Sequence, residues 1–163
     1  MQRIIDLIKR VNRPGVDNLI KYLYESNFAS VSCRTHHTYK GGLADHSLEV
    51  YEIIKRLNRG IPEESIIVCA LLHDLGKARL KGWDFEGQHP ARAIAILKRC
   101  GFELHEEEAF AIRYHHRMSL DALNHRCRNA LTKADMESTA TWKKRFHKLR
   151  KKDSLYELVG KLL

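Results

Sequence analysis

Proline, paired cysteine and long apolar runs are scarce in this chain, and each shortage narrows its class. Three prolines in 163 residues leave long stretches free to run as helix, because proline removes an amide donor and breaks helical interiors. Cys33, Cys69, Cys100 and Cys127 form no Cys-x-x-Cys pair, which fits neither a zinc ribbon nor a small disulfide scaffold. Three of them fall in apolar helical patterns, where a reduced thiol behaves as a small hydrophobe. The longest strongly apolar run is Ile66-Ile67-Val68-Cys69-Ala70-Leu71-Leu72, far below the roughly 20 residues a bilayer needs. Met1-Gln2-Arg3-Ile4-Ile5-Asp6 has no uninterrupted apolar core of a secretory signal. A cytoplasmic protein without membrane association is expected.

Strand alternation is missing too, and helical periodicity fills nearly the whole chain. Arg3–Val11 places Ile4, Leu7, Ile8 and Val11 on one face, and Asn12-Arg13-Pro14-Gly15 breaks it. A second helix covers Val16–Tyr24. Leu43–Leu57 aligns Leu43, His46, Val50, Ile53, Ile54 and Leu57 in one stripe. Pro62, Glu63 and Glu64 open a helix that runs into His73-Asp74, with Gly76 marking its end. His89-Pro90 starts another, stopped by Gly101. Further helices span about Glu106–His115 and Arg126–Ser138, followed by a basic helix and a short C-terminal one. The expectation is an all-α bundle of about seven to nine helices, forming one domain over residues 1–163.

The net charge of +9 is unevenly spread. Residues 142–163 hold 8 Lys+Arg against 2 Asp+Glu and contribute +6, whereas residues 1–141 contribute +3. Trp142, Phe146 and Leu149 share one side of the segment 142–152, which suits RNA, DNA or an acidic partner. The plainer reading is a solvated helix whose apolar stripe packs on the domain.

Ten histidines are a high number, and their placement carries the chemistry. His46 lies on the apolar stripe, three after Leu43 and four before Val50. His73 and Asp74 end the most apolar helix of the chain, where desolvating an imidazole and a carboxylate is costly unless something pairs with them. Asp135 falls on the inward side of its helix, four after Leu131 and one after Ala134. Two nitrogens and two carboxylates from three helices suit a divalent cation with open positions for water and a phosphate oxygen. His89, His115 and His116 sit at helix ends and, with a bridging Asp74, extend the set to a second metal. Taken singly, each residue is also accounted for as a satisfied core histidine, a helix-end cap or a solvated side chain. His105, His125 and His147 lack any such pattern and read as surface residues.

Gly41-Gly42-Leu43-Ala44-Asp45-His46-Ser47-Leu48-Glu49-Val50, Ala70-Leu71-Leu72-His73-Asp74-Leu75-Gly76-Lys77, Gly87-Gln88-His89-Pro90, Tyr114-His115-His116 and Thr132-Lys133-Ala134-Asp135 follow one another in the chain. In that order they resemble the motifs of the HD-superfamily phosphohydrolases, over about residues 36–138. The resemblance implies a helical HD domain with metal ligands His46, His73, Asp74 and Asp135, and His89, His115 and His116 as ligands of a second metal. The cofactor would be one or two divalent ions among Mn, Fe, Ni, Co, Zn and Mg. Asp74 and Lys77 would carry the chemistry, with Lys77 and then Arg79 and Arg117 offsetting charge on a substrate phosphate. His36-His37 resembles a pair in HD domains attached to some bacterial 3′–5′ exoribonucleases and to certain conjugation-associated relaxases; neither is assigned as a ligand.

The implied activity is hydrolysis of a phosphomonoester or phosphodiester by metal-activated water, most often of a nucleotide in the resembling family. Two alternatives stand beside it. One is a nucleic-acid-directed phosphodiesterase or nuclease accessory using the 142–152 segment. The other is a non-catalytic, metal-stabilised regulatory module.

Overall fold

The computed structural model describes residues 1–57, 60–117 and 125–160, with side chains as far as residue 148. Among the described residues there are seven α-helices, two 3₁₀ turns and no strand. The helices are α1 (Gln2–Ile8), α2 (Val16–Glu25), α3 (Gly42–Leu57), α4 (Glu63–Leu72), α5 (His89–Arg99), α6 (Glu106–Tyr114) and α7 (Arg126–Gly160). The all-α expectation is met. Among the described residues, no helix is long and apolar enough to cross a membrane.

Helix α4 is the axle of the bundle. Every residue from Ser65 to Leu72 is buried, as befits a helix that is apolar all round and enclosed by others. It packs against α1, α3, α6 and α7. Each fully buried Leu or Ile there contributes about 1.5–3 kcal/mol relative to exposure. Helix α3 is amphipathic instead, and its buried face holds Leu43, His46, Val50, Ile53 and Ile54. All four cysteines are free and buried, in keeping with their reading as small hydrophobes.

A buried ion pair ties the N-terminal helices to this core. The Arg13 guanidinium, following α1, donates to both oxygens of Glu108 on α6, at 2.6 and 2.9 Å. Ser65 on α4 donates to the same carboxylate at 2.6 Å, and the His105 amide does so at 3.1 Å. Glu108 is 1% exposed, yet each of its oxygens is satisfied, which is what a buried charge requires.

Two expectations about helix ends need correcting. The basic helix and the short C-terminal helix are not separate: α7 runs unbroken from Arg126 to Gly160. No proline or glycine interrupts it before Gly160, and Ser138, where a break was expected, is buried and hydrogen-bonded to His46 and Glu49 of α3. Helix α4 stops at Leu72, with His73 as its C-cap, and the turn Leu75–Lys77 follows. Gly76 lies within that turn rather than at the helix end. A Cβ there would come within 2.0 Å of the His89 carbonyl oxygen, so the missing side chain is what lets α5 begin directly against the dyad.

Candidate metal centre

His46 comes from the second turn of α3, His73 and Asp74 from just past the end of α4, His89 from the first residue of α5, His115 and His116 from just past the end of α6, and Asp135 from α7. The fold brings all seven together. His46 Nε2 lies 3.3 Å from His73 Nε2 and 3.1 Å from Asp135 Oδ1. Asp74 Oδ2 completes this group, 3.4 Å from His73 Nε2 and 3.8 Å from His46 Nε2. On the other side, Asp74 Oδ1 lies 3.1 Å from His89 Nε2 and 4.0 Å from His115 Nε2. His89 and His116 present their Nε2 atoms to each other at 3.0 Å. One carboxylate thus faces two clusters, one oxygen to each; the ligand atoms of His46, His73 and Asp135 lie within 4.8 Å of one another, as do those of Asp74, His89, His115 and His116.

The remote nitrogens of three rings are anchored. His73 Nδ1–H donates to the Ala70 carbonyl at 2.9 Å and His115 Nδ1–H to the Ile112 carbonyl at 2.7 Å. Each carbonyl lies three residues back on the ring's own helix. Ser138 Oγ–H donates to Glu49 Oε2 at 2.8 Å, so His46 Nδ1–H, 3.1 Å away, donates to Ser138 Oγ. These bonds set the tautomer that leaves each Nε2 lone pair facing the cluster, the arrangement that orients histidine ligands on metals.

Among the shifted ligands, all but His73 have protonation states that agree with that role. Burial pushes His115 down to about 3, with the charge on His73 adding to it. His116 is also lowered, chiefly by burial. Neutral imidazole is the ligand form. Burial opposes ionisation of Asp74, but His73, His89 and Lys77 outweigh it and hold its pKa well below the usual carboxylate range. Asp135 is lowered as well, by His46 and His73 against its own burial. For His73 burial favours the neutral form, yet the attraction of Asp74 and Asp135 prevails and the pKa rises. A proton on His73 takes up the positive charge that the carboxylates call for.

Among the described residues, two buried side-chain atoms have no hydrogen-bond partner: Asp74 Oδ1 and His115 Nε2. Although His89 Nε2 lies 3.1 Å from Oδ1, the contact lacks hydrogen-bond alignment. An acceptor and an imidazole nitrogen facing each other at 4.0 Å in a buried pocket are donors awaiting a cation. The residues therefore fit a metal.

Three cationic residues were expected near the phosphate. Lys77 pairs with Asp74 Oδ2. Arg117 lies over the Tyr114 ring, with its guanidinium 5.5 Å from the centroid, and lines a cavity of about 390 Å³ with His89, His116 and Arg113. Arg79 is turned elsewhere: its guanidinium donates to the Gly76 carbonyl at 3.4 Å, and it makes no hydrogen bond or ion pair with the cluster among the described residues. Of the histidines read as surface, His105 and His147 are exposed, whereas His125 is half-buried and stacks on Phe110 at 3.9 Å.

Sequence reasoning left out one pair that the structure brings in. His36 and His37 are buried, with ring centroids 4.4 and 5.3 Å from that of His46. His37 Nε2 lies 3.2 Å from Glu49 Oε2 and so carries the proton; its Nδ1 then accepts from His36 Nδ1–H at 3.0 Å. Burial, followed by the charges on His46 and Lys77, pushes His36 down to about 4. His37 adopts φ 46°, a left-handed conformation that costs a non-glycine residue roughly 1–3 kcal/mol and persists only when its surroundings demand it. Those surroundings include Gly42, where a Cβ would fall 1.9 Å from the His37 carbonyl oxygen. The second glycine of the Gly41-Gly42 pair is thus what seats His37 against the start of α3. The adjacent His-His just ahead of Gly-Gly was the signal available.

Compared with known proteins, residues 43–156 match the family model described as the HD domain. No curated protein and no solved structure matches the chain.

Proposed function

The chain belongs to the HD-domain family, and on that premise we propose that it is a metal-dependent phosphohydrolase holding divalent cations on both sides of Asp74. The observation that carries this reading is the buried, unpartnered Oδ1 of Asp74 facing the equally unpartnered Nε2 of His115. Each such orphan costs about 1–3 kcal/mol when nothing satisfies it. A shared cation removes both penalties at once.

His46, His73, Asp135 and Asp74 Oδ2 would hold one cation, and His89, His115, His116 and Asp74 Oδ1 the other. The mixed imidazole and carboxylate donors suit Mn, Fe, Co, Ni or Zn, and less well Mg. When bound, the cations supply Lewis acidity toward a phosphoryl oxygen and toward the attacking water. The chain's own residues do the rest. Asp74 and Asp135 stay ionised across the neutral range and fix the geometry of both halves of the site. Lys77 pairs with Asp74, and its ammonium would meet a phosphate oxygen as a point charge. Arg117, exposed at the rim beside His89 and His116, is placed to receive a second phosphate oxygen. The substrate is a phosphomonoester or phosphodiester, and a nucleotide suits the cationic rim.

Metal analysis of the purified protein, followed by a phosphoester panel with Mn, Ni, Co, Fe and Mg, tests the proposal, with Asp74→Ala as control. Hydrolysis that survives Asp74→Ala undiminished would sink it. Protein that retains metal but cleaves no phosphoester would instead be a metal-stabilised regulatory module.

A further inference from the structure

One turn after His46 on α3, the half-buried Glu49 gathers donors from two other parts of the chain. Its Oε2 accepts from Ser138 Oγ–H on α7 at 2.8 Å and lies 3.2 Å from His37 Nε2. Its Oε1 accepts from Arg145, also on α7, at 3.1 Å. The carboxylate lines a cavity of about 480 Å³ with His37, Glu52 and Arg145, and none of the seven proposed metal ligands forms part of that wall. Glu49 therefore meets the metal centre only through other side chains.

Two of these contacts decide where an imidazole carries its proton. In its ligand form His46 has one proton and two neighbours able to accept it: Ser138 Oγ, 3.1 Å from Nδ1, and Asp135 Oδ1, 3.1 Å from Nε2. A proton on Nε2 would stand where a cation belongs. Because the Ser138 hydroxyl donates to Glu49, it offers His46 a lone pair, and Nδ1 keeps the proton. On the second branch, His37 Nε2–H donates to Glu49, and His37 Nδ1 accepts from His36 Nδ1–H at 3.0 Å. Trp142 of α7 stacks on the His37 ring at 5.8 Å and 30° and restricts its rotation.

From this arrangement we propose that Glu49 is a positioning residue of the metal centre, whose carboxylate fixes the tautomer of His46 through Ser138 and that of His36 through His37. The proposal rests on the reading of His46 as a metal ligand. Without an acceptor at position 49, the Ser138 hydroxyl donates to His46 Nδ1, and the ring proton moves to Nε2, toward Asp135. His37 loses the acceptor for its Nε2–H, so its proton passes to Nδ1. His36 then accepts at Nδ1 and carries its own proton on Nε2. A carboxylate that merely paired with Arg145 would leave all three rings as they are. Glu52, one turn further along α3 in the same cavity wall, is such a residue: it pairs with Arg3 and meets no imidazole among the described residues.

Three variants of the full chain test the proposal. Glu49→Leu removes the acceptor, Glu49→Gln keeps an oxygen able to face Ser138 and His37, and Glu52→Gln is the control. Nitrogen-15 NMR of the imidazoles in the metal-free protein reads the tautomer of each ring. The parent should carry the His37 proton on Nε2 and the His36 proton on Nδ1. Glu49→Leu should invert both, and the other two variants should keep the parental pattern. In zinc titrations, Glu49→Leu should weaken the step at the His46 side of Asp74 about 10–100-fold and spare the His115 side. Glu49→Gln should restore most of that loss. In a Ser138→Ala background, Glu49→Leu should cost no further zinc affinity, because the two act in series, yet it should still invert His37 and His36. Parent rings with the opposite tautomers, unchanged rings in Glu49→Leu, or additive losses in the double variant would overturn the proposal. A parent that binds no zinc would instead remove the metal-centre reading, while the tautomers of His36 and His37 still decide what Glu49 does.

Discussion

The Nε2 atoms of His46 and His73 face each other at 3.3 Å with both opposite ring nitrogens committed to donating, to Ser138 and to the Ala70 carbonyl. Two lone pairs so placed repel unless a cation stands between them. In the absence of metal a proton serves, and the attraction of Asp74 and Asp135 raises the pKa of His73 against its burial.

That exchange of proton for metal sets a pH dependence. With its folded-state pKa above the ordinary 6.5, His73 stabilises the metal-free protein fully below that value. The contribution is lost as pH rises through the raised pKa. A divalent cation should reverse the trend, because metal binding displaces the proton and strengthens as pH rises. At about 100 times its Kd, the metal should add roughly 2.7 kcal/mol, or about 5–10 °C in Tm for a chain of this size. Thermal melts from pH 6 to pH 9, with and without chelator, check both signs; calorimetry in two buffers of different ionisation enthalpy detects the released proton.

Ser138→Ala removes the acceptor that holds His46 in place while leaving every proposed ligand intact. Loss of such an orienting partner should weaken metal binding about 10–100-fold. The effect should fall on the His46 side of Asp74 and spare the His115 side. Two-step metal titration resolves the two; equal weakening of both steps would contradict the division of the site.

Gly76→Ala should act on the opposite half. The new Cβ would meet the His89 carbonyl at 2.0 Å and the Ala93 amide nitrogen at 2.8 Å, so α5 must retreat, at an overpacking cost of about 1–3 kcal/mol. His89 then moves away from Asp74 Oδ1. Metal content per chain should drop in protein that remains folded by circular dichroism.

Glu108→Gln addresses stability away from the metal. Burial raises the pKa of Glu108, but hydrogen bonds from Arg13, Ser65 and the His105 amide outweigh it, and the folded-state pKa lies below the ordinary 4.5. Its stabilisation is therefore complete above pH 4.5 and is lost as pH falls through the lower folded value. Removing the charge leaves Arg13 with Glu64, 3.2 Å from its Nε, as the remaining carboxylate partner, so the variant should lose less near neutrality than the roughly 3–5 kcal/mol of a buried charge left wholly unpaired. The variant should show a flatter decline between pH 5 and pH 3 in urea midpoints than the parent.

Much of this was legible in the chain itself. Helical periodicity placed His46, Asp135 and the His73–Asp74 pair on inward faces or at a buried helix end, since a period of 3.6 residues sorts side chains before any contact forms. Burial of an imidazole and a carboxylate without partners in their own helix already called for a cation. The order of five motifs pointed to the HD domain, and residues 43–156 match that family.

Other features depend on contacts between segments far apart in sequence. That Asp74 turns one oxygen to each cluster follows from Gly76 admitting α5, which no local pattern encodes. His36 and His37 lie in an irregular stretch, so periodicity could not aim them; the left-handed His37 and the bare α-carbon of Gly42 did. α7 runs on past Ser138, whose side chain is hydrogen-bonded to His46 and Glu49 of α3. Residue types and their spacing determined which groups point inward. Only packing across the whole bundle decided which of them meet, because the distances that make a metal site are set between helices rather than along them.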